Sequence, residues 1–261
     1  YLYKKPCKMI FKSLICCLFL LSIARTDDLP RQIPKTKKMI TNTVSEIIRP
    51  AYLKTGDTVA VIAPAGVLKQ DSEVIEKTKI LLNSWGLEVI FGKHIETKAN
   101  HFAGSDSERA SDFQWALNQP NIKAIWCARG GYGSLRIIDK LNFEGFKKFP
   151  KWIVGYSDIT VLHSTLNYLG YESIHGMMCI NLTEDEQAIK SSIETLKSAL
   201  FGALDSYDIK GHKENKLGIA SGQLIGGNLS LLTATLGSKT SLNTKGKIIF
   251  IDALTMAELL F

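Results

Sequence analysis

Apolar positions between residues 52 and 180 alternate between short continuous runs and helical spacing. The runs predict five buried strands, at 58–63, 87–91, 122–127, 151–154 and 173–175. Between them, apolar residues three or four positions apart predict helices at 71–85, 105–118, 134–141 and 158–169. Strands that alternate with helices at this spacing form right-handed crossovers. The pattern therefore predicts an α/β fold with a Rossmann-like parallel sheet and helices on both faces.

Beyond residue 180 the pattern changes. A helical segment at 183–200 precedes a polar stretch at 207–215. Residues 223–228 then lead into a helix at 229–236, and the last predicted strand is 247–251. We therefore expect an N-terminal domain at 52–180, a helical and polar connector at 181–218, and the start of a second domain at 219–261 that is truncated in this chain.

The charge of the chain is concentrated at one end. Residues 1–50 contain ten Lys or Arg and three Asp or Glu, a difference of +7 that equals the formal net charge of all 261 residues. The remainder is therefore neutral, which argues against a nucleic-acid partner. Lysines followed by the apolar run 14–24 predict a secretory signal peptide at 1–24, a linker at 25–51 and an exported (periplasmic or secreted) protein. The alternative is a cytoplasmic protein that starts at Met39.

The cysteines and histidines predict no metal site and no cofactor. Cys127 and Cys179 lie in the body of the chain, and the other cysteines, Cys7, Cys16 and Cys17, lie in the leader. Apolar neighbours favour two buried small residues over a disulfide or a metal pair. The five histidines are scattered, and none forms an H-x-x-x-H pair.

Residues 152–160 are typical of a strand, a tight turn and a helix, with Ser157 at the apex of the turn. Such a turn exposes a nucleophilic hydroxyl and leaves the next backbone N–H free for an oxyanion. The usual pattern is G-x-S-x-G, and Ile159 occupies the fifth position here. The alternative is a helix N-terminus that Ser157 caps.

Two further loops should reach the same edge of the sheet, because parallel strands all end there. These are the proline loop, Ala63–Gly66, and the glycine-rich loop, Arg129–Ser134. The glycine-rich loop allows close approach of a ligand, and its N–H groups can bind an anion. It is neither G-x-G-x-x-G nor a P-loop, so a nucleotide is not predicted.

Six motifs occur in order along the chain. They are DTVAVIAPAG at 57–66, AGSDSERA at 103–110, ARGGYG at 128–133, GYSD at 155–158, IHG at 174–176 and GGNL at 226–229. Together they resemble the LD-carboxypeptidases, a serine peptidase family that includes the murein tetrapeptide and microcin-immunity carboxypeptidases. The resemblance extends from about Leu53 to Ile251.

The resemblance implies an N-terminal α/β domain, a β-rich C-terminal domain and an active site between them. It implies a metal-free enzyme that releases the terminal D-alanine of peptidoglycan tetrapeptides during cell-wall recycling. Ser157 would be the nucleophile of a Ser-Glu-His triad. The N–H of Asp158, with that of Gly130 or Gly131, would stabilise the oxyanion. Arg129 would bind the substrate's terminal carboxylate or form a structural salt bridge.

The sequence departs from the family in two ways. Asp252 stands where the triad glutamate follows the last strand, and the chain ends before the family's catalytic histidine. His175 lies nearest the site by motif, as a substitute base or as a hydrogen-bonded structural residue. We therefore expect this chain alone to be nearly inactive.

The alternatives to the murein enzyme are a microcin-immunity type that acts on a peptide–nucleotide conjugate and a non-catalytic muropeptide-binding remnant. Family members are often dimers, so a homodimer is a further expectation.

Overall fold

The computed structural model describes residues 47–68, 73–209, 211–216 and 218–253. The predicted leader at 1–24 and most of the predicted linker lie outside these residues. Within the described ranges, no helix has the length and apolar character needed to cross a membrane.

A five-stranded parallel sheet forms the centre of the molecule, as the alternating pattern predicts. Its strands lie in the order β2-β1-β3-β4-β5. They are β1 Thr58–Ile62, β2 Glu88–Phe91, β3 Ile122–Cys127, β4 Trp152–Gly155 and β5 Ile174–His175. A smaller parallel sheet pairs β6 Leu224–Asn228 with β7 Ile248–Asp252.

Seven α-helices connect or follow the strands in the described ranges. They are α1 Val74–Ser84, α2 Asp106–Asn118, α3 Ser134–Ile137, α4 Glu144–Lys148, α5 Thr160–Leu169, α6 Glu186–Leu200 and α7 Leu229–Ala234. Short 3₁₀ turns occupy Ile138–Lys140, Ser157–Ile159 and Cys179–Thr183.

Both faces of the large sheet are buried. On β1, Val59 and Val61 join a cluster with residues of α1 and α6, while Ala60 and Ile62 join a second cluster with residues of α2 and α5. Neighbouring side chains of a strand point to opposite faces, so a strand covered on both sides is apolar throughout. This confirms the predicted α/β class.

Three local expectations differ from the structure. The helix predicted at 134–141 is α-helical only at Ser134–Ile137 and ends as a 3₁₀ turn. Helix α4 was not predicted. Strand β6 was missed because glycines at 226 and 227 weaken a strand pattern. A Cβ on Gly226 would lie only 1.8 Å from the Phe250 carbonyl oxygen, so the close pairing with β7 requires glycine.

The smaller sheet packs against the start of α5. The Asn228 N–H donates to Thr160 Oγ1 at 2.9 Å. A Cβ on Gly227 would lie 2.6 Å from the Thr160 side chain, so the Gly227 backbone packs directly against that side chain. Because Asn228 pairs with Asp252 in the sheet register, this contact brings the end of β7 to the edge of the large sheet.

Candidate active site

Ser157 occupies a strained backbone position directly after β4. Its φ of +57° lies in the left-handed region. This region costs a non-glycine residue roughly 1–2 kcal/mol. The N-cap residues of the 3₁₀ turn and of α5 are Tyr156 and Ile159, so Ser157 is the cap of neither element. The alternative of a Ser157 helix cap is therefore wrong, and a left-handed residue between a strand and a helix is a feature that nucleophile elbows also have.

The glycine-rich loop lies directly beside this turn. A Cβ on Gly130 would be 3.6 Å from both Ser157 Cβ and the Asp158 backbone nitrogen. The absence of a side chain at residue 130 therefore keeps the approach to the Asp158 N–H open. The oxygen of a carbonyl group whose carbon lies next to Ser157 Oγ can therefore reach that donor.

The glycine-rich loop is held on its other side by the proline loop. The Gly66 N–H donates to the Gly130 carbonyl oxygen at 2.9 Å. Because a trans peptide directs its C=O and N–H in opposite directions, the Gly131 N–H points away from Gly66. The structure thus places Gly130 beside Ser157 and Asp158, with Gly131 next in the loop and close to Gly66.

Arg129 is half-buried at the start of the glycine-rich loop. Its Nη1 donates to the Val67 carbonyl oxygen at 2.7 Å. In the described ranges, Arg129 takes part in no salt bridge. A guanidinium carries five N–H donors, so others remain for a ligand carboxylate.

Asp252 lies at the end of β7 and faces His175. Its Oδ2 is 3.9 Å from His175 Nε2, which is too long for a hydrogen bond. Burial lowers the pKa of His175 to about 3, and the nearby His163 adds to this shift. An imidazole with so low a pKa is a weak general base.

His175 also differs from the expected hydrogen-bonded structural residue. Its buried Nδ1 has no hydrogen-bond partner among the described residues. The ring instead packs edge-on against Phe250, with centroids 5.1 Å apart. His175 therefore contributes to the packing between the two sheets, and its surroundings do not favour a role as a base.

Arg109 is the site-forming residue that sequence reasoning missed. Its side chain is fully buried and donates to the Pro64 and Gly133 carbonyl oxygens, at 2.6 and 3.0 Å. It also forms an ion pair with Asp106. The available signal was a charged residue on the buried face of α2, next to Ala110 and in line with Phe113.

Both cysteines of the described residues lie in the interior. Cys127 and Cys179 are free and buried, in agreement with their predicted packing role. Burial raises the pKa of Cys179 to about 12, so its thiol stays protonated. Among the described residues, no group of three or more His, Cys, Asp or Glu side chains could hold a metal ion.

Sequence comparison identifies two matching domain families. Residues 59–176 match the LD-carboxypeptidase N-terminal domain, and residues 221–259 match the LD-carboxypeptidase C-terminal domain. A probable murein peptide carboxypeptidase of Bacillus subtilis is 36% identical over 209 residues, which cover 78% of this chain and 64% of that protein. The murein tetrapeptide carboxypeptidase of Pseudomonas aeruginosa is 31% identical over 206 residues, 74% of this chain and 65% of that protein.

Solved structures share the fold. An MccF-like protein from Bacillus anthracis superimposes with a TM-score of 0.69 at 25% identity, over 80% of this chain and 71% of that one. A muramoyltetrapeptide carboxypeptidase from Oxalobacter formigenes superimposes with a TM-score of 0.64 at 28% identity, over 75% and 65%. The chain thus spans about two thirds of the length of the proteins it matches.

Proposed function

The chain belongs to the LD-carboxypeptidase family, and from this premise we propose that it acts as a serine carboxypeptidase that releases the terminal D-alanine of murein tetrapeptides. The observation that carries the proposal is the left-handed Ser157 at the end of β4, beside the open backbone of Gly130. The names of the two murein carboxypeptidases support the substrate class.

The proposed reaction has two steps. Ser157 Oγ attacks the carbonyl carbon of the last peptide bond while a base takes its proton. The amine of D-alanine leaves with that proton, and water then hydrolyses the acyl-enzyme. The N–H of Asp158, with that of Gly131 or Gly130, stabilises the tetrahedral oxyanion; loss of one such donor typically costs about 3 kcal/mol of barrier.

The family resemblance assigns the base to a histidine oriented by a carboxylate. We propose Asp252 for the carboxylate, because it ends β7 at the edge of the large sheet. A carboxylate in this role fixes the tautomer of its histidine and stabilises the imidazolium. The low pKa of His175 argues against this residue as the histidine.

Arg129 is our candidate for the terminal carboxylate of the substrate. One of its donors is already held by Val67, which orients the guanidinium next to the proline loop. Arg129→Lys should raise KM for the tetrapeptide with a smaller effect on kcat, because an ammonium cannot both bind Val67 and grip two carboxylate oxygens. Steady-state kinetics of D-alanine release measures this split.

The test of the proposed function uses the complete protein as its own gene encodes it. Incubation with murein tetrapeptide should release D-alanine, detected by mass spectrometry. Ser157→Ala should abolish release, because the attacking hydroxyl is gone. Ser111→Ala, an exposed serine on α2, is the matched control and should keep wild-type activity.

Labelling by a fluorophosphonate separates the alternatives, because it requires an activated hydroxyl. A protein that binds tetrapeptide but neither releases D-alanine nor reacts at Ser157 would be a non-catalytic binder, which would overturn the proposal. Cleavage of a peptide–nucleotide conjugate with no action on tetrapeptide would instead identify a microcin-immunity type.

A further inference from the structure

A buried arginine connects the loops that border the serine turn. Arg109 Nη1 donates to the Pro64 carbonyl oxygen in the proline loop and to the Gly133 carbonyl oxygen in the glycine-rich loop. The guanidinium lies 4.8 Å from the centroid of the Phe102 ring, which covers it. Burial lowers the pKa of Arg109, although the Asp106 carboxylate opposes the shift. A cation in such a position is costly unless it is well bonded.

The contact between Gly133 and the Arg109 guanidinium is close as well as polar. A Cβ on Gly133 would lie 2.7 Å from Arg109 Nη1 and 3.1 Å from the Cα of Ala65. Gly133 has a φ of +147°, a conformation that other residues rarely adopt. Glycine at this position therefore lets the loop backbone lie directly on the guanidinium.

One peptide group joins this arginine to the serine turn. The carbonyl of Gly133 accepts from Arg109 at 3.0 Å, and the N–H at the other end of the same peptide, that of Ser134, donates to Asp158 Oδ2 at 2.8 Å. Asp158 directly follows Ser157 and supplies an oxyanion N–H in the proposed function. The rigid peptide plane therefore transmits the position of Arg109 to the residue beside the nucleophile.

We propose that Arg109 is a positioning residue that holds the glycine-rich loop against the serine turn through the Gly133–Ser134 peptide. The catalytic consequence rests on the proposed function: a loosened loop would misplace the oxyanion donors while leaving substrate binding largely intact. Misplacement of reacting groups by about 1 Å can cost roughly 100-fold in rate.

Arg136 supplies a matched control. It forms an ion pair with the same Asp106 carboxylate, at 2.9 Å, and lies over the same Phe102 ring. Its exposed side chain bonds Asp106 and, among the described residues, donates to neither the Pro64 nor the Gly133 carbonyl oxygen. The Arg136 backbone N–H donates to the Gly133 carbonyl oxygen at 3.1 Å, and a side-chain substitution leaves that bond in place. A change of the Arg136 side chain thus removes one of the two ion pairs of Asp106 and keeps the contacts of Arg109 with both loops.

The first measurement is amide hydrogen exchange of the complete protein, for wild type, Arg109→Lys, Arg109→Met and Arg136→Met. The lysine keeps a positive charge but loses the planar guanidinium, whose Nη1 binds both loops while its Nη2 binds Asp106. We expect faster exchange in the glycine-rich loop and at Asp158 in both Arg109 variants, with wild-type protection in β1, β3 and β4. Arg136→Met should match wild type. If Arg109→Met does not fold, Arg109→Lys still decides the question.

The second measurement is D-alanine release by the same variants. Arg109→Lys should lower kcat by about 100-fold and change KM less than twofold. Unchanged loop exchange, faster exchange throughout the domain, or a loosened loop with wild-type kcat would each overturn the proposal. A wild-type protein that releases no D-alanine would refute the proposed function alone, and the exchange data would still decide whether Arg109 positions the loop.

Discussion

At the scale of single residues, the nucleophile position carries a strain that can be measured without any chemistry. Ser157 has a φ of +57°, which glycine adopts freely and a residue with a Cβ does not. We expect Ser157→Gly to be more stable to unfolding than Ser157→Ala by about 1 kcal/mol. Urea denaturation of the two variants, which both lack the hydroxyl, measures the difference. Equal stability would show that the backbone relaxes at this position.

The approach to the Asp158 N–H, the proposed oxyanion donor, is open because Gly130 has no side chain. A Cβ there would meet Met178 Cε at 3.2 Å, a flexible contact, and would lie 3.6 Å from the Asp158 nitrogen. Gly130→Ala should therefore fold normally and lower kcat by roughly 100-fold, because the methyl group occupies the space of the oxyanion.

Gly218→Ala is the control for this substitution, since a Cβ there meets nothing within 4 Å. Circular dichroism and D-alanine release should show a folded, active control. Wild-type kcat in Gly130→Ala would mean that the oxyanion lies elsewhere.

At the scale of elements, helix α2 is fixed at both ends. At its start, Ser105 and Glu108 form the predicted capping box. At its end, the buried Lys151 ammonium donates to the carbonyl oxygens of Ala116, Leu117 and Gln119, at 2.9, 3.0 and 2.6 Å. The carbonyls at a helix C-terminus have no partner within the helix, so this lysine satisfies three of them. The helix that carries Arg109 is thereby held in one position.

Lys151→Met should destabilise the protein by about 3 kcal/mol, because several carbonyl groups lose their partner in the interior. The matched control is Lys123→Met, which removes one exposed hydrogen bond to the Pro120 carbonyl oxygen and should change stability by less than about 0.5 kcal/mol. Urea unfolding at pH 7 compares the two. Similar losses in both variants would show that the buried ammonium contributes nothing specific.

At the scale of the whole molecule, two buried histidines lie at the edge where the two sheets meet. Their ring centroids are 5.8 Å apart. His163 bonds the Gly155 carbonyl oxygen through Nε2 and the Ser173 hydroxyl through Nδ1, each at 2.8 Å. Burial lowers the pKa of His163 to about 4 and that of His175 to about 3. Both are therefore neutral in the folded protein near neutral pH.

The free energy of unfolding should consequently fall as the pH drops below about 6.5, because each histidine takes up a proton only after unfolding. The loss continues down to the folded-state pKa values of about 4 and 3. Between pH 7 and pH 5, where most carboxylates stay charged, each histidine should contribute about 2 kcal/mol of this loss.

The variant His163→Gln should reduce the slope of stability against pH by about one proton relative to wild type. Urea denaturation at pH 5, 6 and 7 measures it. An unchanged slope would mean that His163 is protonated in the folded state.

Local patterns alone determined much of this protein. Apolar runs and helical spacing predict the five strands of the large sheet, the capping box of α2 and the serine turn, because each depends on neighbours along the chain. The six motifs likewise indicate the family.

The tertiary structure decided what depends on distant residues. It made 224–228 a strand through pairing with β7, set Asp252 opposite His175, and placed Arg109 under Gly133. Such contacts depend on how elements pack against each other, and the periodicity of the sequence does not predict which side chains of different elements will be in contact.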